Sequence, residues 1–536
     1  MFLNALSIED KSIIDADICI IGAGCAGITL ATELINSPLK VVLLESGGLE
    51  YDDKTQSLYE GENISFNPFK LENTRLRFFG GSTNHWGGMC HPLEKNDFLP
   101  RQELAYPGWP IELDALTPYY QRAQSLCQLG PFVYDDENYW RQHAGFKPLL
   151  TQADKLKTSF FQFSPPTRFG EVYKDVLERS RAVDVILNAT ALELEATADA
   201  NHVSRVRVTS FSNKTFFVKA RKFVVAAGGL ETPRLLLLSN TVQKKGLGNK
   251  YDLLGRYYMD HPGLWSGTVQ FITDQSSHPW YFNLRNKAEG LADMGAAFTP
   301  TESFLKNEGL LNFRLLLKPT PEEKSVDSIK YIAHEMAAAQ LPEDLGVHIK
   351  NILSDIRPVA NIALKTIFNS SANFIAAPPA SNNGITKANI ELGLEQFPNR
   401  DSRVSLSAQK DAFGQNRIKL DWRLSGIEQK TAKKAVETFA LECGKHHLGR
   451  VHISDEVMEQ NKNISCQISS HHMGTTKMAI SPAEGVVDVN CKVHGVDNLF
   501  VASSSVFPTS GWANPTLTIT ALSIRLAEHL KSISRT

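Results

Sequence analysis

Residues 17–45 read D-I-C-I-I-G-A-G-C-A-G-I-T-L-A-T-E-L-I-N-S-P-L-K-V-V-L-L-E. An apolar strand over Ile18–Ile21, a glycine turn, a helical stretch and a second apolar strand over Lys40–Leu44 make this a βαβ unit. The turn fits G-x-G-x-x-G. Gly22 permits the tight bend, Gly24 lets the backbone approach a pyrophosphate, and Gly27 lets helix and strand pack closely. Amides at the helix N-terminus then face the phosphate oxygens. Glu45 closes the second strand 23 positions after Gly22, where a carboxylate accepts bonds from ribose hydroxyls. Glycines alone also suit a ligand-free strand-to-helix turn; strand, helix and acid together favour a dinucleotide with a free 2′-hydroxyl. They do not separate NAD from FAD.

Outward from this unit, Gly80-Gly81-Ser82-Thr83-Asn84-His85-Trp86-Gly87-Gly88 is too rich in glycine for a core element and reads as a loop against which something packs closely. Phe223–Ala227 predicts a buried strand, followed by Thr232 as N-cap and Pro233 as first residue of a helix over Arg234–Leu238. In the middle of the chain, Asn389–Leu394, Arg403–Leu406 and Ile418–Leu424 alternate apolar with polar residues. Ile418, Leu420, Trp422 and Leu424 share one face, as in antiparallel strands that cover a site. Residues 325–380 read as helical or irregular, broken at Pro342, Pro358, Pro378 and Pro379. The end returns to α/β text: a strand over Asn498–Ala502, then a helix after Pro515 whose Ile519, Leu522, Leu526 and Leu530 form one apolar stripe.

The expected fold is therefore α/β, α+β overall. A discontinuous Rossmann-like lobe is built from residues 1–262 and 463–536, and a substrate lobe with an antiparallel sheet and helices from 263–462. Of 536 residues, 42% are hydrophobic and 21% charged, with a net charge of −2, which gives no field for holding a nucleic acid. Cys19, Cys25, Cys90, Cys127, Cys443, Cys466 and Cys491 form no C-x-x-C pair, and the odd count fits a reducing, cytoplasmic setting. The N-terminal M-F-L-N-A-L-S-I-E-D-K lacks a basic stretch leading into an apolar one, so no secretory signal is expected. No apolar run reaches the roughly 20 residues of a spanning helix. No metal is expected, and the oligomeric state is not legible.

Several segments occur together and in order: the first glycine loop, G-G-S-T at 80–83, G-W-P-I at 108–111, P-Y-Y at 118–120, A-A-G-G-L-E-T-P-R-L-L at 226–236, L-G-R-Y-Y-M-D-H-P at 254–262 and N-P-T-L-T at 514–518. This set resembles the glucose–methanol–choline (GMC) oxidoreductases, and the H-W of the second glycine loop is closest in wording to their pyranose 2-oxidase and sugar or sugar-acid dehydrogenase branch. The resemblance implies FAD, a bipartite fold and oxidation of a C–OH group. It puts His85 where some members join a histidine covalently to the flavin 8α-methyl carbon; covalent attachment and an ordinary loop histidine both stay open. His471-His472-Met473-Gly474-Thr475 resembles the family's H-x-x-G-T segment and selects His471 as the base. Asn514 matches the partner that holds the substrate oxygen, although Asn followed by Pro is also an N-cap and a first helical residue. With a helix beginning at Pro515 and Thr516, its N-terminal amides would face the flavin pyrimidine. Ser503 and Ser504 fall in a segment near the ribityl-phosphate portion, where relatives carry an acid in place of Ser503. Ala191 matches a residue whose backbone meets adenine.

The expected function is oxidation of a sugar, polyol or other alcohol, with proton transfer to histidine, hydride transfer to flavin N5, and oxygen or another acceptor, including a separate subunit, reoxidising the flavin. Alternatives on the same scaffold are a cyanohydrin-cleaving lyase and a catalytically silent flavin-binding partner protein.

Overall fold

The computed structural model describes residues 1–106, 108–151, 153–287, 291–320, 384–459 and 466–534. The segment 325–380 therefore lies outside the described residues. Two large sheets organise the rest, one for each kind of sequence pattern.

The strand that begins the βαβ unit runs from Ile13 to Ile21, and only its second half is buried throughout. That half is the apolar run of a parallel strand covered on both faces. It lies between Val41–Leu44 and Thr215–Val225, parallel to both. The full order in this eight-stranded sheet is Phe2–Asn4, Val183–Leu187, Val41–Leu44, Ile13–Ile21, Thr215–Val225, Val203–Thr209 and Thr190–Ala196, with Leu499–Val501 also paired to Thr215–Val225. Both ends of the chain thus build one sheet. The helix Cys25–Leu34 packs against the helix Thr516–Ile533, whose Leu522, Leu526 and Leu530 are buried and whose Ile519 is half-buried against the same core. A Cβ at Gly27 would stand 1.9 Å from the Gly22 carbonyl oxygen, so the third glycine of the loop is what lets the helix start this close to its strand.

The second sheet is antiparallel and seven-stranded: Gly449–Ile453, Gly263–Phe271, Lys387–Leu394, Phe313–Pro319, Asp293–Pro300, Leu156–Phe163 and Met89–Cys90. Two of these strands, Met89–Cys90 and Leu156–Phe163, come from the N-terminal 262 residues, so the chain crosses between lobes more often than a division at 262 and 462 implies. In Lys387–Leu394, Ala388, Ile390, Leu392 and Leu394 are buried at alternate positions in a core shared with the helix Ile427–Lys445. The opposite face carries Arg314 and Leu316 from Phe313–Pro319. A small third sheet joins Arg403–Lys410 to Asn416–Asp421 and Glu62–Asn63, with Ile418, Leu420 and Trp422 buried on one side.

One helix start differs from expectation. The helix after Thr215–Val225 begins at Gly228, so Thr232 and Pro233 lie inside it rather than at its N-terminus. Pro233 has no N–H for the carbonyl four residues earlier; the Thr475 hydroxyl donates to that carbonyl, Gly229 O, at 2.6 Å and replaces the lost bond. At the chain end Pro515 is the capping residue and the helix runs from Thr516, and no side chain caps it. The Asn514 side chain is engaged elsewhere.

Candidate active site

At one end of the site, two glycine segments far apart in sequence meet. Gly80 N donates to Ala23 O at 2.8 Å, and a Cβ at Gly81 would lie 3.1 Å from Gly24 Cα. Glu45 is buried; its Oε2 accepts from Ala23 N at 2.8 Å and its Oε1 from Gly47 N at 2.9 Å. Burial raises its carboxyl above the ordinary range, against the pull of those amides and of Arg77. Besides any contact with a ribose, Glu45 therefore clamps the glycine loop to the residues after the second strand. Ala191 lies beyond this clamp in Thr190–Ala196, whose Thr190 hydroxyl bonds Ser46 Oγ at 2.7 Å. Ser82 is exposed, with its Oγ accepting from Leu76 N at 3.4 Å. His85 is exposed and its imidazole bonds to none of the described residues; Trp86 next to it is anchored by Nε1 donating to Thr167 O at 2.9 Å.

At the other end the strand Leu499–Val501 runs into Ser503 and Ser504, which tie down the histidine segment. Ser503 Oγ accepts from Ser505 N at 2.9 Å, and Ser504 Oγ donates to His472 O at 2.6 Å. Gly474 N donates to Ser504 O at 3.1 Å. Of the adjacent histidines, His472 is the structural one. Its Nδ1 bonds Tyr258 Oη at 2.8 Å and its Nε2 bonds Thr74 Oγ1 at 3.0 Å, so both ring nitrogens are occupied. Burial, then Arg75, brings it down to about 3.

His471 is half-buried and differently held. Its Nδ1 lies 2.9 Å from Nδ1 of His261, whose Nε2 lies 3.4 Å from Ser510 O. A carbonyl only accepts, so His261 Nε2 carries a hydrogen, its Nδ1 accepts, and His471 Nδ1 donates. The remaining lone pair of neutral His471 is then on Nε2, which bonds none of the described residues. Asp260 Oδ1 accepts from His261 N at 2.7 Å and from His471 N at 3.0 Å, fixing both backbones. Burial raises Asp260 to about 6. His261 is brought down to about 3, chiefly by burial and then by Arg314. His471 is held well below its ordinary value by burial, then by His261, Arg314 and His472. Asn514 Oδ1 accepts from Arg314 Nη1 at 2.8 Å, and the same nitrogen donates to Trp512 O at 3.2 Å.

His261, Asp260 and Arg314 carry no assigned role in the sequence reading. M-D-H-P at 259–262 was visible as a motif, but nothing local says that His261 meets a histidine 210 residues later. Arg314 had one legible signal, a lone charge inside the apolar run F-R-L-L-L.

The family profile for GMC oxidoreductases matches residues 398–523. The fructose dehydrogenase large subunit of Gluconobacter japonicus is 24% identical, across 96% of this chain and 97% of that protein. A long-chain-alcohol oxidase of Arabidopsis thaliana is 32% identical, across 97% of this chain and 69% of that protein. Among solved structures, a formate oxidase of Aspergillus oryzae superposes with a TM-score of 0.58 at 16% identity, over 98% of this chain and 100% of that one, a likeness of fold. The fold is that of a dinucleotide-binding α/β flavoenzyme. The chain belongs to the GMC oxidoreductases, and its cofactor is FAD.

The residues present fit that cofactor. A Cβ at Gly24 would meet nothing within 4 Å, so the N-terminus of Cys25–Leu34 opens on free space. The helix Thr516–Ile533 likewise has no side-chain cap over its first amides. Buried and unpartnered near its start are Trp512 Nε1 and Arg314 Nε, donors suited to a polar ring system or its substrate.

Proposed function

We propose that this FAD-dependent oxidoreductase oxidises the CH–OH group of an alcohol, sugar or polyol, with His471 as the base and Asn514 holding the substrate oxygen. The observation that carries this is the His261–His471 pair, which leaves the His471 Nε2 lone pair unbonded in a half-buried setting. FAD, when bound, supplies the acceptor for the hydrogen that leaves the carbinol carbon with its electron pair. His471 Nε2 takes the hydroxyl proton. Asn514 retains its amide N–H group for the substrate oxygen because its Oδ1 is committed to Arg314. The low basicity imposed by burial keeps His471 neutral before substrate arrives. On this reading Gly22, Gly24 and Gly27 hold the pyrophosphate, Glu45 and Ala191 the adenosine end, Gly80, Gly81, Ser82 and His85 the isoalloxazine edge, Ser503 and Ser504 the ribityl-phosphate portion, and Pro515 and Thr516 the pyrimidine. The division into lobes at 1–262, 263–462 and 463–536 follows that use of the chain, with the crossing strands noted above.

His471→Ala is expected to slow anaerobic flavin reduction by about two to four orders of magnitude; near-normal reduction in a stopped-flow trial would remove His471 from this role. Bleaching by a panel of sugars, polyols and alcohols identifies the donor, and no bleaching by any C–OH compound would favour a lyase. An exposed His85 free of hydrogen bonds to the described residues supports covalent attachment. It is checked by acid denaturation: colour that stays with the polypeptide supports the bond, and complete release rules it out. The fructose dehydrogenase subunit, the alcohol oxidase and the seven free thiols among the described residues favour a small-molecule donor, oxygen or another acceptor, and a reducing, cytoplasmic location. No helix among the described residues is long and apolar enough to cross a membrane.

A further inference from the structure

Arg314 is the charged group that the proton-transfer chemistry above leaves unused. It is 8% exposed, its Nε has no partner, and its Nη1 serves only a backbone carbonyl and the Asn514 amide oxygen. Among the described residues, no carboxylate lies within ion-pair distance of it. Glu391 is the one acid that acts on it from further off, and Glu391 is paired with Lys318. A guanidinium buried without a counter-charge is costly. Elsewhere in this molecule buried arginines have acids: Arg75 and Arg234 share Glu231, and Arg101 holds Glu395. Among the described residues Arg314 is the exception, and it sits against the proposed substrate-binding Asn514.

The strand pairing explains how it got there. Arg314 lies opposite Gly393, and a Cβ at Gly393 would stand 2.9 Å from Arg314 Nε. The glycine leaves room for the guanidinium to lie across the neighbouring strand. On the same face Leu316, Ala297, Phe161 and Phe163 form a small apolar cluster with Met89. On this face Arg285, over the Phe163 ring, is paired with Asp293, and Lys318 with Glu391, which leaves Arg314 as the cation without an acid among the described residues, beside an apolar wall.

We propose that the substrate carries a carboxylate or equivalent oxyanion next to its reacting carbinol, and that Arg314 binds it: the donor is a hydroxy acid or sugar acid. This rests on the reading of Asn514 and His471 as the substrate-facing pair. The balance of the reaction is unchanged. The hydroxyl proton goes to His471, the C–H hydrogen leaves with its electron pair to FAD, and the carbinol carbon becomes a carbonyl. The anion also has a second effect. It offsets the positive field that Arg314 exerts on His471, so the base gains proton affinity as the correct substrate docks.

The test is a spectral titration of the FAD-loaded enzyme at constant ionic strength. Sodium acetate supplies a carboxylate without an oxidisable hydroxyl, and acetamide is its neutral isostere. Acetate is expected to perturb the flavin absorption saturably, and acetamide to bind at least about tenfold more weakly. In Arg314→Gln the acetate dissociation constant should rise about 10- to 100-fold, with Arg314→Lys in between. In turnover, kcat/KM for glycerate should exceed that for glycerol in the native enzyme, and this preference should vanish in Arg314→Gln. If that variant does not retain flavin, the acetate and acetamide comparison in the native enzyme and Arg314→Lys decides. Absence of a saturable acetate effect, or equal acetate affinity with and without Arg314, overturns the proposal; the first is also what results if the flavin itself takes the free Arg314 donors. Normal reduction by glycerate in His471→Ala with acetate binding intact overturns the base assignment and leaves the anion site standing, so the two failures are distinct.

Discussion

The chemistry proposed for this site depends on which nitrogen of one imidazole carries a hydrogen. As the proposed base, His471 must be neutral to act, and burial is the first reason that its proton affinity lies well below the ordinary value of 6.5. Activity is then present above the folded-state pKa and lost as pH falls through it, so the acid limb of kcat/KM should have its midpoint below pH 6.5. A midpoint at or above that value would contradict the environment described. The second residue-scale expectation concerns His261, a positioning residue. His261→Ala leaves His471 Nδ1 without its acceptor and frees the ring to rotate or to change tautomer. Flavin reduction should slow by about 10- to 100-fold. His261→Gln offers an amide oxygen to the same N–H and should restore part of the rate, which a purely structural role would not produce. H-x-x-G-T marks His471 as a candidate, whereas its partner His261 has no local signal, because a tautomer is set by whatever the other ring nitrogen meets in space.

At the scale of elements, the helix Gly228–Leu238 shows how a local rule is overridden. Thr-Pro at 232 and 233 has the wording of an N-cap followed by a first helical residue. The helix nonetheless starts at Gly228, because Thr475 supplies the hydrogen bond that Pro233 removes. Thr475→Val keeps the shape and deletes the donor, leaving the Gly229 carbonyl buried and unpaired. We expect a loss of about 1–3 kcal/mol in urea unfolding, with Thr475→Ser close to native. The compensating hydroxyl is 246 residues from its acceptor, so no window of sequence around Pro233 contains it. Asn514-Pro515 has the same local wording, and there Arg314, arriving from the other sheet, takes the amide oxygen.

At the scale of the whole molecule, the chain threads both of its ends through one sheet and sends two early strands into the other, and the residues proposed to hold FAD come from both ends of the chain. Ligand binding to the folded state alone stabilises it, by about 2.7 kcal/mol at a hundredfold excess over Kd. Added FAD should therefore raise the melting temperature of deflavinated protein. Gly24→Ala, whose new methyl meets nothing in the protein, should fold with the native apo midpoint but lose most of that shift. Gly27→Ala, whose methyl would overlap Gly22 O at 1.9 Å, should lower the apo midpoint itself. Sequence alone determined the βαβ unit, the two patterns of strand and the family, because glycine spacing and apolar period are properties of neighbouring residues. Tertiary structure alone decided that His261 sets the tautomer of His471, that Glu45 clamps the glycine loop, and that Arg314 stands buried without an acid among the described residues. Each of those depends on the hydrogen-bond partner and dielectric at a point in space, and both are supplied by segments remote in the chain.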